Sequence, residues 1–170
     1  MGLQQKKAPL PGEAGRQRLG GAKPFTMTRS MRIGTAILTA ILRAGLPLGP
    51  LRLLSVLGRR SGRLHTIPVA LLERNGTRWL VAAFGEVNWV RNLRAAGAAQ
   101  LGRGRCRETV RAVELGPAEA APILQRYLEK YQKVPFIAPY FEATAESPLT
   151  EFEREASHHP VFRIVSTKRA

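Results

Sequence analysis

The sequence from Leu51 to Phe84, LRLLSVLGRRSGRLHTIPVALLERNGTRWLVAAF, contains three apolar segments separated by two glycine-containing turns. Aliphatic and β-branched residues favour strands in the apolar segments, which we predict over Leu51–Leu57, Leu64–Glu73 and Arg78–Phe84. The first turn is Gly58-Arg59-Arg60-Ser61-Gly62, and the second is Asn75-Gly76, a strong signal for a type I′ hairpin. The stretch is therefore expected to form three consecutive antiparallel strands.

The segments on both sides of these strands complete the predicted order of elements. The apolar residues of Met31–Gly45 recur at helical spacing, and Pro47 follows them as a stop signal. Downstream we predict a helix over Asn88–Ala96 ended by Gly97, strands over Gln100–Gly102 and Arg105–Leu115, helices over Pro117–Tyr131 and Pro148–Ala156, and a last strand over Val161–Ser166. Strands and helices do not alternate as a parallel sheet would require. The order predicts a mainly β protein with helices, in which an antiparallel sheet closes into a small barrel and the helices pack outside it.

The length and the composition predict one folded domain preceded by a tail. The chain has 170 residues, and one domain typically takes about 150. Residues 1–29 are rich in Gly, Pro, Gln, Lys and Arg and lack apolar periodicity, so we predict a disordered basic tail there. Residues 30–170 are then expected to form a single folded domain.

The charge balance restricts the class of partner. Lys and Arg number 27 against 12 Asp and Glu, which gives a net charge of +15. Such an excess attracts anions: nucleic acid, anionic lipid headgroups, or a phosphorylated or polycarboxylate small molecule. Few aromatic residues interleave with the basic clusters, so we expect no nucleic-acid partner. A basic module that binds nucleic acid or a membrane surface is kept as an alternative.

The cysteine count and the longest apolar run bear on the compartment. Cys106 is the one cysteine, which excludes an internal disulfide and a cysteine-rich metal site, and we expect it to be a small buried packing residue. The longest apolar run, Ile33–Leu42, is shorter than the roughly 20 residues of a membrane-spanning helix. No basic segment leads directly into an apolar stretch with a cleavage site, so a cytoplasmic location is expected. The basic amphipathic helix that starts near Met31 packs over the domain's own sheet or, alternatively, lies peripherally on the inner face of the cell membrane.

The turn Gly58–Arg63 is the most informative candidate site. Its two glycines permit positive φ angles and close approach of a ligand. Successive N–H groups in such a turn can form an anion-binding nest. The guanidinium groups of Arg59, Arg60 and Arg63 and the hydroxyl of Ser61 add further donors. The pattern predicts a phosphate-binding turn, and the alternative is a solvated hairpin turn.

Two other regions carry aromatic side chains. Small residues at the end of the third predicted strand, followed by Gly85 and a helix with Trp89, leave room for a flat ligand. Trp89 either walls that space or fills the core. The C-terminal helical region contains Tyr127, Tyr131, Tyr140 and Phe141, which either stack on a planar ligand or pack in the core.

The three histidines do not point to a metal. His65, His158 and His159 lack the spacing of a metal site, and we place the last two at the entrance to the final strand. No metal site is predicted, and no catalytic base is nominated.

In their order along the chain, these stretches resemble the deazaflavin-dependent nitroreductases and quinone reductases, small split β-barrel proteins that use coenzyme F420. The resemblance is carried by Val56–Arg63 with Thr66–Val69, by Trp89 and Asn92–Ala95, and by the strand Arg103–Val113. His159–Ile164 also resembles the closing strand of one branch of the family. The similarity extends from about Met31 to Val165.

The resemblance implies a split β-barrel enzyme in which reduced F420 transfers a hydride from its C5 carbon to a quinone, nitro or enone acceptor. It implies that the turn Gly58–Arg63 holds the phosphate and the oligoglutamate tail, and that the tricyclic ring lies against Ile67–Val69 and Ala82–Gly85. The cofactor would supply the chemistry, and the barrel would supply orientation and exclusion of water. The partner is a small electron acceptor, and pairing with a second copy into a homodimer is left open.

The resemblance also indicates which residues form the site. The predicted cofactor-binding residues are Ser55, Gly58, Arg59, Arg60, Ser61, Gly62, Arg63, Ile67, Pro68, Val69, Ala82, Ala83, Phe84, Gly85 and Trp89. The predicted substrate-binding residues are Tyr127, Tyr131 and Tyr140.

The chain departs from the family pattern after the third strand. Better-known members have a longer loop there, with a serine or lysine and a Pro-x-Trp-Tyr sequence. Here the loop is only Phe84-Gly85-Glu86-Val87, Ala83 stands where the serine would be, and Val90 replaces the tyrosine. The short loop motivates an alternative function, a split barrel that binds FMN, haem or a fatty acid and need not be catalytic.

Overall fold

The computed structural model describes residues 28–134 and 137–167. The first helix, α1, spans Arg29–Arg43, and the hydroxyl of Thr28 caps it by accepting a hydrogen bond from the backbone N–H of Met31. The helix begins two residues before the predicted start. Residues 1–27 of the predicted tail lie outside the described residues.

Six strands form one closed barrel. They are β1 (Leu51–Leu57), β2 (Leu64–Arg74), β3 (Thr77–Val81), β4 (Ala98–Arg103), β5 (Cys106–Glu114) and β6 (Val161–Ser166). Around the barrel the strands follow the order β1-β2-β3-β6-β5-β4, and every pairing is antiparallel. The predicted antiparallel barrel is therefore confirmed.

The β2–β3 hairpin confirms the turn prediction, whereas the end of β3 differs from it. Asn75 and Gly76 have φ angles of 50° and 74°, as a type I′ turn requires. Strand β3 ends at Val81, three residues earlier than expected from the apolar run. The N–H of Ala82 donates to Pro160 O, and the N–H of Gly85 donates back to Ala82 O, so the chain turns here. Apolar composition could not reveal this turn, because Ala82 and Ala83 are buried within it.

The described residues also form three further helices and one short 3-10 turn. Helix α2 spans Asn88–Ala96, α3 spans Pro117–Tyr131 and α4 spans Leu149–Glu155, while the 3-10 turn covers Ala138–Tyr140. Helix α2 ends as predicted at Gly97, whose φ of 63° lies in the left-handed region that glycine adopts without strain. In the part of the chain that the structure describes, no helix is long and apolar enough to cross a membrane.

Buried side chains form two clusters on opposite faces of the sheet. The barrel cluster includes Leu54, Val56, Leu71, Leu80, Ala82, Val90, Leu93, Leu101, Val110 and Phe162. The helix cluster lies between the sheet and helices α3 and α4 and includes Leu72, Val81, Ala83, Leu124, Tyr127, Leu128, Phe141, Phe152 and Val161. Neighbouring strand residues such as Leu71 and Leu72 join different clusters, because successive side chains of a strand point to opposite faces.

Cys106 contradicts its prediction. The expectation was a small buried packing residue, but Cys106 is exposed at the start of β5. It follows the tight turn at Gly104, where the hairpin leaves the core. Local sequence could not show this, because burial at a hairpin end depends on what packs over it.

Candidate functional site

The turn between β1 and β2 is closed by its own backbone. The N–H of Gly58 donates to Arg63 O, and the N–H of Gly62 donates to Gly58 O, both at 2.8 Å. A Cβ atom at Gly58 would lie 2.7 Å from both His65 Nε2 and Ser61 Oγ, so these side chains pack directly over the glycine. Among the described residues, the N–H groups of Arg60 and Ser61 have no acceptor. Two adjacent donors thus remain open at the tip of the turn.

Helix α2 holds the turn in place through Asn92. The side-chain carbonyl of Asn92 accepts from the backbone N–H of Arg59 at 3.3 Å and from its guanidinium Nη1 at 2.8 Å. Asn92 is buried whereas Arg59 is exposed, so the contact is partly shielded from water. Asn92 lies in the family-like segment Asn92–Ala95 but is not among the predicted site residues. That segment was the available signal.

The arginines of the turn differ from other arginines in their charge compensation. Arg94 bonds the carboxylates of Glu86 and Glu114, and Arg78 bonds Glu108. These contacts raise the pKa of both guanidinium groups, and the bond to Arg94 lowers the pKa of Glu86. In contrast, Arg59 contacts only a neutral amide, and within the described ranges no carboxylate pairs with Arg60 or Arg63. The exposed turn is therefore cationic and available to an anion.

The predicted ring-contacting residues divide between the two faces of the sheet. Ile67, Val69 and Trp89 are half-buried against the barrel cluster, to which Ala82 also belongs. Trp89 packs against Phe162 with ring centroids 6.0 Å apart. Pro68 is also half-buried and lies between Ile67 and Val69 in β2. Because successive side chains of a strand alternate, Pro68 faces the opposite side of the sheet from these two residues.

Two other predicted cofactor contacts lie elsewhere. Ala83 belongs to the helix cluster. The hydroxyl of Ser55 is buried and shares a 2.8 Å hydrogen bond with Thr66, its cross-strand partner.

Each predicted acceptor residue contacts another aromatic side chain. Phe84 meets the Tyr140 ring edge to face, with centroids 5.1 Å apart. Tyr127 and Tyr131 are adjacent on α3, with centroids 4.7 Å apart. Tyr127 is only 4% exposed, and burial raises its pKa, so the interpretation as a core residue describes it well. Tyr131 is half-buried, and its enclosed hydroxyl has no hydrogen-bond partner among the described residues.

A buried Glu155–His159 pair connects α4 with the backbone of Ala82 and of Tyr140. Sequence reasoning missed this pair. His159 is 2% exposed and Glu155 is 4% exposed. His159 Nδ1 lies 3.1 Å from Ala82 O, and Nε2 lies 3.0 Å from Tyr140 O and 3.3 Å from Glu155 Oε2. Both ring nitrogens therefore lie within hydrogen-bond distance of acceptor oxygens. His158 and His159 do precede the final strand, as predicted, but their positions did not reveal a salt bridge.

The electrostatics of Glu155 reflect two opposing effects. Burial favours the neutral carboxyl and raises its pKa, whereas hydrogen bonds from His159 and from the N–H groups of Ala143 and Glu142 lower it. The hydrogen bonds outweigh burial, so the pKa of Glu155 lies below its ordinary value. The carboxylate form of Glu155 is thus favoured, and the pair links the Ala82 carbonyl and the Tyr140 carbonyl to α4.

Two surface cavities lie away from the predicted site. One of about 360 Å³ is lined by Arg52, Leu101, Gly102, Arg103, Cys106, Arg107 and Glu108. The other, of about 280 Å³, is lined by Glu142, Ala143, Glu151, Arg154, Glu155 and His158. Neither includes a residue predicted to bind cofactor or substrate. Within the described parts of the chain, no group of three His, Cys, Asp or Glu side chains is arranged to hold a metal ion.

Comparison with solved structures finds several of similar architecture. The F420-H2 dependent reductase FDR-A is 22% identical with a TM-score of 0.46, over 68% of this chain and 94% of that chain. A putative pyridoxamine 5′-phosphate oxidase from Listeria innocua is 12% identical with a TM-score of 0.48, over 78% and 93% of the two chains. A protein of unknown function from Agrobacterium tumefaciens is 19% identical with a TM-score of 0.49, over 86% and 60%. No curated protein gives a significant match.

Comparison with protein families shows to which family the chain belongs. The F420H(2)-dependent quinone reductase family matches residues 31–136, which are more than half of the chain. The match starts at α1 and continues past the end of α3, so it includes the Gly58–Arg63 turn and Asn92. The protein therefore belongs to the F420H(2)-dependent quinone reductase family and is an F420-dependent oxidoreductase with a split-barrel fold.

Proposed function

We propose that the turn Gly58–Arg63 binds the phosphate and oligoglutamate tail of F420, and that the enzyme reduces a small quinone-like acceptor. The observation that carries this proposal is the cationic turn itself. Arg59 is fixed by Asn92, Arg60 and Arg63 have no carboxylate partner within the described ranges, and two backbone N–H groups are open. These donors fit the charge of a polyanionic tail.

The contact with Asn92 favours binding because it orders Arg59 in advance. A free arginine loses side-chain entropy when it binds an anion, at a cost of about 0.5–1.5 kcal/mol for an immobilised side chain. The amide of Asn92 is neutral, so it orients Arg59 without cancelling its positive charge. A carboxylate at position 92 would orient the same guanidinium but compensate its charge.

The apolar surface beside the turn is the proposed wall for the ring of the cofactor. Ile67, Val69 and Trp89 present partly exposed apolar surface next to the barrel cluster. When bound, reduced F420 supplies a hydride from its C5 carbon. The side chains around it orient the ring and exclude water, and none of them is assigned a proton transfer.

The Phe84–Tyr140 pair is the proposed contact for the acceptor. Phe84 belongs to the segment Ala82–Gly85, and the Tyr140 ring contacts it. Aromatic faces stack on planar quinones, nitroaromatics and enones. His159 binds both the Ala82 carbonyl and the Tyr140 carbonyl, so it holds the two sides of this region together. Tyr127 and Tyr131, which are packed beneath in the helix cluster, are proposed to support this wall from behind. The family match favours this activity over the FMN, haem or fatty-acid alternative.

A fluorescence titration tests the proposal with three ligands: F420, the same deazaflavin without its phosphate and glutamate tail, and FMN. We expect F420 to bind at least about tenfold more tightly than the tailless deazaflavin, since each charge-assisted bond contributes about 1.5–3 kcal/mol. FMN is expected to bind more weakly than F420. Equal affinity for the tailed and the tailless deazaflavin would contradict the assignment of the turn to the tail.

Helix α1 supports the proposal of peripheral membrane contact. Ile33 and Ile37 are 62% and 55% exposed, and Arg29 and Arg32 lie on the same helix. Exposed apolar side chains beside arginines suit an anionic lipid surface. Cosedimentation with phosphatidylglycerol vesicles tests this, and an Ile33→Ser/Ile37→Ser variant is expected to lose binding. Equal binding to phosphatidylcholine vesicles, or unchanged binding of the variant, would contradict it.

Homodimer formation stays a prediction, which sedimentation velocity tests.

A further inference from the structure

The cavity of about 360 Å³ lies at the end of the barrel away from the cofactor turn. It lies between β1, β4 and β5, and its arginines are Arg52, Arg103 and Arg107. Arg52 is near the start of β1, and the Gly58 turn follows the end of the same strand. At about 3.3 Å per strand residue, roughly 20 Å separate the two places. This cavity, the arginine cleft, is therefore distinct from the proposed F420 site.

The charges of the arginine cleft are largely uncompensated. Glu108 is the one acidic lining residue, and its carboxylate is already bound by Arg78 and by the hydroxyl of Ser166. Arg52 Nη1 donates to the carbonyls of Gly49 and Leu51, which orients that guanidinium without neutralising it. The residues that the structure describes include no carboxylate partner for Arg103.

The backbone around the arginine cleft is held by close packing. The N–H of Gly104 donates to Leu42 O at the end of α1, at 2.8 Å. A Cβ atom at Gly104 would lie 2.9 Å from Gly45 Cα, and one at Gly102 would lie 2.1 Å from Cys106 O. Neither glycine tolerates a larger residue without backbone movement. Arg107 Nε also donates to Gly104 O, at 3.3 Å, so its side chain is anchored to the same turn.

We propose that the arginine cleft binds a small polyanion, namely a phosphorylated or polycarboxylate metabolite. Three guanidinium groups offer paired N–H donors, which match the oxygen spacing of phosphate and carboxylate. The volume is near the lower end of the range for small-molecule sites, about 300–1,000 Å³, which favours a compact ligand over a nucleic acid. The occupant lies against Cys106, so it shields the thiol.

Cys106 is a built-in reporter for this site because it is the one cysteine of the chain. In the test, 4,4′-dithiodipyridine reacts with the full-length protein. The Cys106 thiolate attacks one sulfur of the reagent, a mixed disulfide forms, and 4-thiopyridone leaves and is measured by its absorbance. The reagent is uncharged, so its approach is not steered by the arginines. Pyrophosphate and citrate are added in separate arms, at an ionic strength held constant with sodium chloride.

We expect pyrophosphate or citrate to slow the modification, by about threefold when its concentration is twice the dissociation constant. The arm with the larger effect identifies the phosphate or the carboxylate class. Arg103→Ala is expected to abolish the protection. Arg105→Ala is the matched control, because Arg105 is even closer to Cys106 in sequence than Arg103 but does not line the cleft. Arg59→Ala is expected to retain the protection, which separates this proposal from the F420 site.

Three outcomes would overturn the proposal. The first is equal reaction rates with and without the polyanions at matched ionic strength. The second is equal loss of protection in Arg103→Ala and Arg105→Ala, which would indicate nonspecific attraction. The third is unchanged protection in both variants. If Arg103→Ala melts at a lower temperature than the parent protein, Arg103→Gln provides the second variant, since it keeps a long polar side chain without the charge.

Discussion

The side-chain carbonyl of Asn92 accepts two hydrogen bonds from Arg59, one from its backbone N–H and one from its guanidinium. This joins helix α2 to the turn after β1 across 33 residues of sequence. One buried side chain therefore orients both the backbone and the guanidinium group of Arg59. Cofactor affinity is therefore expected to depend on a residue that need not touch the cofactor.

Asn92→Ala removes the acceptor for both hydrogen bonds. We expect the dissociation constant for F420 to rise about tenfold, which corresponds to about 1.4 kcal/mol. The free energy of unfolding should fall by about 1 kcal/mol, because two donors lose their partner. Fluorescence titration and urea denaturation measure the two effects. Asn88→Ala, an exposed change on the same helix, is the control. Lower stability with unchanged affinity would make the contact purely structural.

The double variant Arg59→Ala/Arg60→Ala removes two positive charges from the turn. We expect affinity for F420 to fall about 100-fold, since each charge-assisted bond contributes about 1.5–3 kcal/mol. The melting temperature should fall only slightly, because the backbone N–H at position 59 still donates to Asn92 and the Arg60 side chain is exposed. Arg111→Ala/Arg163→Ala removes the same net charge from exposed strand positions and serves as the control. If both double variants lose affinity equally, overall charge and not the turn is responsible.

The Glu155–His159 pair predicts a pH-dependent contribution to stability. The pKa of Glu155 is lower in the folded protein than its ordinary value of 4.5, because hydrogen bonds outweigh burial. Folding therefore favours the ionised carboxylate, and this contribution is complete above pH 4.5 and is lost as the pH falls through the folded pKa.

Glu155→Gln tests this contribution. We expect a loss of about 3 kcal/mol at pH 7, because the change removes a buried carboxylate that accepts hydrogen bonds from the N–H groups of Glu142 and Ala143. The difference from the parent protein should shrink at pH 3, as measured by urea denaturation. Glu153→Gln, an exposed change on the same helix, should have no comparable effect. A difference that is independent of pH would show that the carboxylate is not ionised in the folded state.

The Phe84–Tyr140 contact predicts a separation between acceptor and cofactor binding. Tyr140→Ala removes the ring and is expected to raise KM for a quinone acceptor by about tenfold, a loss of about 1.4 kcal/mol. Tyr140→Phe retains the ring and should keep KM close to the parent value. Affinity for F420, measured by fluorescence, should be unchanged in both variants. A rise in KM with Tyr140→Phe would assign the contact to the hydroxyl, and an unchanged KM in both would exclude Tyr140 from acceptor binding.

Local patterns in the chain were sufficient for most of the strands, for the hairpin at Asn75-Gly76 and for the end of α2 at Gly97. Each depends on residues that are neighbours along the chain, where φ preferences and alternating burial act directly. The cationic character of the Gly58–Arg63 turn was likewise visible, because it depends on composition within a few residues. Family resemblance supplied the cofactor, since charge alone does not distinguish one polyanion from another.

Contacts between distant residues required the folded barrel. Asn92 meets Arg59, His159 meets the carbonyl of Ala82, and β3 pairs with β6, although long stretches of chain separate these partners. The exposure of Cys106 and the early end of β3 also depend on which segments pack nearby. Many distant pairings are compatible with the same local preferences, and closure of the sheet selects among them through burial and hydrogen bonding.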